Sequence, residues 1–197
     1  MTDRKNILIA YPPEFLCYEK LKRKIDTYTS QSGEFELVCF DDANEYVKRC
    51  AKEKDCGMTF FSDPAEAVEN STHAIIFEDR ECFAKLRENL KENKIRFKVV
   101  PLELTLVVNK DKVDAYDVYI GRGTVWGNPY QIGQDGDRDE VIRKFAYDFD
   151  RGFLKVHQDF EKHLSKIKGK VIACHCKPAA CHGDVIAAYV NSLDDGK

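Results

Sequence analysis

Residues 171–184 read Val-Ile-Ala-Cys-His-Cys-Lys-Pro-Ala-Ala-Cys-His-Gly-Asp. Val171-Ile172-Ala173 is a short apolar run, the pattern of a buried strand. Residues 185–190, Val-Ile-Ala-Ala-Tyr-Val, follow with the apolar stripe of a helix. The reactive side chains therefore fall on a strand-to-helix turn. Pro178 lacks the N–H that a ladder needs and is expected to end the strand. Open α/β sheets bind ligands at the carboxyl ends of their strands. A helix that starts there adds free N–H groups and a positive dipole end. Such a turn suits a metal, an anion or a thiolate.

The same alternation runs through the rest of the chain. Apolar runs at residues 7–10, 35–40, 58–61, 73–77 and 96–100 predict five strands. Between them, helical spacing is read over residues 14–30 and from Asp42 through Tyr46, Val47, Cys50 and Ala51. A short helix opens at Asp63-Pro64, and another spans residues 80–93, with Cys82, Phe83, Leu86 and Leu90 on its buried face. Strands alternating with helices predict an α/β protein: a Rossmann-like parallel sheet flanked by helices, over residues 1–112. No Gly-x-Gly-x-x-Gly follows the first strand, where Tyr11-Pro12-Pro13 stands, so a dinucleotide held in the usual way is not expected. Polar Asn109-Lys110-Asp111-Lys112 reads as the linker to a second, smaller α/β half, residues 113–197. There a strand at residues 117–120 runs into the glycine-rich stretch Gly121–Pro129. Helices are expected over residues 138–149 and 154–167.

Composition sets bounds. The chain has 197 residues, 43% apolar and 33% charged, with net charge −3, enough for one large domain or two small ones. That charge supplies no long-range pull toward nucleic acid. No apolar run approaches the roughly 20 residues that span a bilayer. Eight cysteines without an export signal point to reduced thiols and a cytoplasmic setting.

Two blocks of the second half carry a resemblance: Tyr119-Ile120-Gly121-Arg122 with Trp126-Gly127-Asn128-Pro129-Tyr130 and Arg138, then residues 173–178 with 181–185. Over about residues 115–193 the chain resembles the phage and bacterial proteins of domain-of-unknown-function family 4326. His175 stands where that family is expected to carry an aromatic residue. In the first half, Asp41-Asp42-Ala43-Asn44 before a helix resembles the SLOG superfamily of Rossmann-like nucleotide-binding domains, whose phosphate-binding Gly-Gly and Gly-Thr turns are missing here. That resemblance implies a nucleotide-like ligand.

Three readings of the cysteine turn stay open. Cys174, Cys176, Cys181 and His182 satisfy the ligand count of zinc, although the spacing is not the Cys-x-x-Cys of a zinc ribbon. Alternatively, Cys181 at a helix start is a nucleophile, with His182 and His175 close enough to supply a base and Asp184 placed to orient either histidine or to favour the helix start. Plain packing is the third, since cysteine behaves as a small hydrophobe. In the glycine stretch, Gly121, Gly123 and Gly127 let backbone approach a ligand, and Arg122 suits phosphate or carboxylate. Trp126 is expected to stack on a base and Asn128 to read its edge, against the plainer view that Trp126 caps the core and Asn128 makes a turn.

The resulting expectation is an enzyme that binds a nucleotide or nucleotide-derived sugar between the two blocks and cleaves or transfers an N-glycosidic or phosphoester bond. The alternatives are a nucleotide-sequestering protein and a zinc-stapled nucleic-acid module. No cofactor is required, zinc being the one candidate metal. The expected partner is a small nucleotide-like molecule, not a membrane or nucleic acid, and a homo-oligomer stays open.

Overall fold

The computed structural model describes residues 5–196, which divide into two compact units, 5–102 with 194–196 and 103–193. In the first unit the strands are β1 (Lys5–Ala10), β2 (Phe35–Cys39), β3 (Gly57–Phe60), β4 (His73–Glu78) and β5 (Arg96–Pro101). They form one parallel sheet in the order β3-β2-β1-β4-β5. Central β1 is covered on both faces, which is why Ile7 to Ala10 is an unbroken apolar run. Its Leu8 and Ala10 pack with Val38, Ala74, Ile76 and Leu90, and elsewhere in the unit Phe15 stacks on Phe77 at 5.4 Å.

The crossovers carry α1 (Tyr18–Thr29), α2 (Tyr46–Glu53), α3 (Pro64–Glu69) and α4 (Ala84–Glu92). The last starts later than its spacing suggests. Arg80 and Glu81 adopt φ of 47° and 56°, left-handed values that an α-helix does not continue. Cys82 is consequently exposed ahead of the helix instead of on its buried face. Asp63 caps α3 by accepting from the Ala65 N–H at 3.0 Å. Asp42 does more. Its carboxylate accepts from the Val47 and Lys48 N–H groups at 2.9 and 3.0 Å, and from the Tyr11 hydroxyl at 2.5 Å. Burial, with that bond, pushes the Tyr11 phenol well up. Asp42→Ala removes a helix cap and strands a buried hydroxyl. It should cost about 2–3 kcal/mol in urea denaturation followed by far-UV circular dichroism.

The second unit holds β6 (Leu106–Asn109), β7 (Val118–Tyr119) and β8 (Val171–Cys174), a three-stranded parallel sheet in the order β6-β8-β7. With them are α5 (Arg138–Asp150), α6 (Phe160–Ile167) and α7 (His182–Ser192). The boundary expected after residue 112 lies earlier, because β6 pairs with β8 and belongs to this sheet. The helix expected over 154–167 is broken too. A 3₁₀ turn at Lys155–Asp159 buries Val156 and lays His157 flat on Phe160 at 4.7 Å before α6 begins. Buried Thr105 anchors the unit: its N–H and C=O bond the Asn191 amide at 2.8 and 3.0 Å, and its hydroxyl donates to Ile167 O. Among the described residues no helix is long and apolar enough to cross a membrane.

Candidate functional site

Cys174 ends β8, the middle strand of its sheet, and Cys181 immediately precedes α7. The strand thus stops four residues ahead of Pro178. The loop between the two cysteines is pinned from β6 and the turn behind it. The Asn109 amide donates to His175 O at 3.1 Å and Lys177 O at 2.5 Å, and Asp111 holds His175 Nδ1 at 2.6 Å. These are two of the four residues expected to be a linker. Asp184 accepts from the Cys181 N–H at 2.9 Å and pairs with Lys177. It fastens the start of α7, and no bond joins it to His182.

The sulfurs of Cys174 and Cys181 lie 3.1 Å apart, both buried. The Cys176 N–H points at Cys174 Sγ from 3.4 Å. A hydrogen bond from the Cys181 thiol pulls Cys174 well below the ordinary thiol range, with amide N–H groups of Cys176 and Lys177 assisting and burial opposing. Giving that proton to the pair, and burial, push Cys181 up. Of the two thiols, Cys174 is therefore the one favoured to ionise, where the sequence pointed to Cys181.

His182 points elsewhere. A carbonyl only accepts, so its Nε2 carries a proton, donated to Ile120 O at 2.9 Å. Its ring stands edge-on to Phe145 at 5.1 Å, and burial lowers its pKa. The expected base is a buried strut that ties α7 to the residue after β7. Gly183 beside it leaves no room for a side chain, since a Cβ would lie 2.9 Å from both Ile120 and Val107. Adjacent Cys181 and His182 thus serve different neighbours. Among the described residues no three His, Cys, Asp or Glu side chains converge to hold a metal ion.

The glycine stretch folds back on itself. The Thr124 hydroxyl donates to Gly121 O at 2.8 Å, and a Cβ at Gly127 would come within 2.8 Å of that same carbonyl. Trp126 does not face a ligand. It is 4% exposed, in the core with Ile120, Phe145 and Leu164. Asn128 is also committed: its amide donates to Val141 O at 3.1 Å and its oxygen accepts from Tyr130 N–H at 2.9 Å. Arg122 makes one long bond to Tyr130 O, at 3.4 Å.

Within this unit the two blocks border a cleft of about 380 Å³. Gly121, Arg122 and Asn128 of the first block line it together with Cys174, Cys176, Cys181 and His182 of the second. Tyr119, Tyr130, Arg138 and His175 complete the polar lining, beside apolar Ile132, Val141 and Ile142. Arg138 was not singled out as a binding residue by its spacing. It opens α5 and donates to Ala180 O at 3.2 Å. Gly123 and Gly127 face a second cleft of about 410 Å³ that shares Arg122 and Asn128 and adds Lys155.

A family model described as "Minimal SLOG domain" matches residues 4–108, and one described as "Domain of unknown function (DUF4326)" matches residues 107–192. The chain is similar to the "Uncharacterized 12.4 kDa protein in nrdA-td intergenic region" of Enterobacteria phage T4. The two are 46% identical over 91 residues, which is 46% of this chain and 81% of that protein. No solved structure matches.

Proposed function

From the premise that the chain belongs to the minimal SLOG domain family through residues 4–108 and to the DUF4326 family through residues 107–192, we propose that it binds and acts on a nucleotide or nucleotide-derived ligand. The site is the cleft between Gly121–Pro129 and the cysteine turn. The SLOG match lies in the first unit and supports a nucleotide-like ligand for the chain, while the place of the site rests on the second unit's own geometry. The observation that carries the site is the meeting of Arg122, Arg138 and the Cys174–Cys181 sulfur pair on one cleft. Arg122 and Arg138 bind phosphate, for which planar forks of N–H donors are suited. Tyr119 and Tyr130 offer rings to a base. Cys174 attacks at the anomeric carbon or phosphorus, and His175, held by Asp111, hands a proton to the leaving group. Water then releases the covalent intermediate.

The test is titration calorimetry against nucleoside mono-, di- and triphosphates, dinucleotides and nucleotide sugars, with products followed by mass spectrometry. Arg122→Ala and Arg138→Ala should each weaken binding about tenfold or more, the value of a charge-assisted hydrogen bond. Cys174→Ser should keep binding and lose turnover. No binding across the panel defeats the reading. Tight binding with the ligand unchanged after long incubation would instead favour stoichiometric sequestration, a second reading supported by the deep burial of both sulfurs.

A further inference from the structure

We propose that Cys174 and Cys181 are a peroxide-oxidisable pair, a modification site that closes to a disulfide between the end of β8 and the start of α7. It holds whatever ligand the cleft takes. The geometry carries it. Both thiols are free, and their sulfurs are 3.1 Å apart, so a bond of about 2 Å needs only a small approach. Both border the cleft, which gives a molecule as small as a hydroperoxide a route to sulfurs that are otherwise buried. The Cys176 N–H aimed at Cys174 Sγ stabilises negative charge there, and so marks Cys174 as the attacking sulfur.

The electrons balance in two steps. The Cys174 thiolate attacks one oxygen of hydrogen peroxide, breaks the O–O bond and becomes a sulfenic acid, with hydroxide leaving. The Cys181 thiol then attacks that sulfur, forms the S–S bond and expels water. Two thiols and one peroxide become one disulfide and two waters. The neighbouring thiol intercepts the sulfenic acid before further oxidation. A reducing dithiol returns the pair to its starting state.

Cys176, half-buried at the same cleft, is the internal control. The experiment treats the folded, full-length protein with hydrogen peroxide, blocks remaining thiols and maps the tryptic peptide 171–197. Its Lys177-Pro178 bond resists trypsin, so all three cysteines stay on one fragment, apart from exposed Cys82. The expected result is loss of two hydrogens from that peptide, reversed by dithiothreitol, with Cys176 alone carrying the blocking group. Cys176→Ser should behave as wild type. Cys181→Ser should instead gain oxygen on Cys174. A bond to Cys176, oxygen accumulating on wild-type Cys174, or release of zinc on oxidation would each overturn the proposal. The wild-type map decides even where a variant does not fold. Nucleotide binding is read separately by calorimetry, so either conclusion can fail without the other.

Discussion

Replacing Trp126 by alanine is expected to destabilise the second unit by about 3–5 kcal/mol, the usual cost of removing a buried large aromatic. Its indole lies among Ile120, Phe145, Leu164 and Ile186, edge-on to His163 at 6.4 Å. Little surrounding chain is free to collapse into the space, because Gly127 is pressed against Gly121 O. Trp126 is the chain's single tryptophan, so the loss has to be followed by far-UV circular dichroism in urea, not by fluorescence. Trp126→Phe should cost less, about 1–2 kcal/mol, since most of the apolar contact survives. If Trp126→Ala instead keeps wild-type stability and loses nucleotide affinity, the ring is a ligand platform after all and its buried placement is wrong.

His182→Ala is expected to cost about 3–4 kcal/mol. The substitution removes a packed ring and leaves Ile120 O without its donor. His182→Gln, whose amide can donate to the same carbonyl, should recover part of that loss. The pH dependence has a definite sign. Burial lowers the folded pKa of His182 below the ordinary value of about 6.5. Above that value both states are neutral and the wild type has its full stability. As pH falls below it, the unfolded chain takes up a proton that the folded chain refuses. Stability then drops by up to about 1.4 kcal/mol per pH unit. His73 is lowered by burial as well, so the informative quantity is the difference between wild type and His182→Gln. That difference should shrink as the pH is taken from 7 toward 5. A difference constant with pH would show that His182 does not stay neutral in the fold.

The first sheet was legible because its central strands are covered on both faces. Ile7 to Ala10 and Ala74 to Phe77 are unbroken apolar runs for that reason, and no distant residue is needed to interpret them. The second unit is harder to read because its defining contacts are remote. Nothing local assigns Leu106–Asn109 to the second sheet until Val171–Cys174 is placed beside it. Asn109 and Asp111 look like a solvated linker because nothing local reveals that their partners are His175 and Lys177. At the site, residue type was a better guide than residue role. Gly121, Arg122 and the cysteines do border one cleft. Trp126 and Asn128 have side chains equally suited to ligands and to cores, and only the three-dimensional neighbours decide between the two. Which thiol is favoured to ionise depends on the hydrogen bond between the two sulfurs and on the Cys176 amide beside them, which no spacing encodes.

The position of β8 has a consequence for how the protein is made. It is the last of the described strands to leave the ribosome, yet among the described residues it is the sole ladder partner of both β6 and β7. The sheet of the second unit has no hydrogen-bonded nucleus until residue 174 is available, and the loop to be closed from β6 spans more than sixty residues. The first sheet is complete by Pro101 and has no such wait. A nascent chain truncated before residue 171 should therefore present a finished first sheet followed by a collapsed, unpaired second segment. The same final strand carries Cys174, so the cleft and its sulfur pair are assembled in one late event, and no partly folded form displays the pair early.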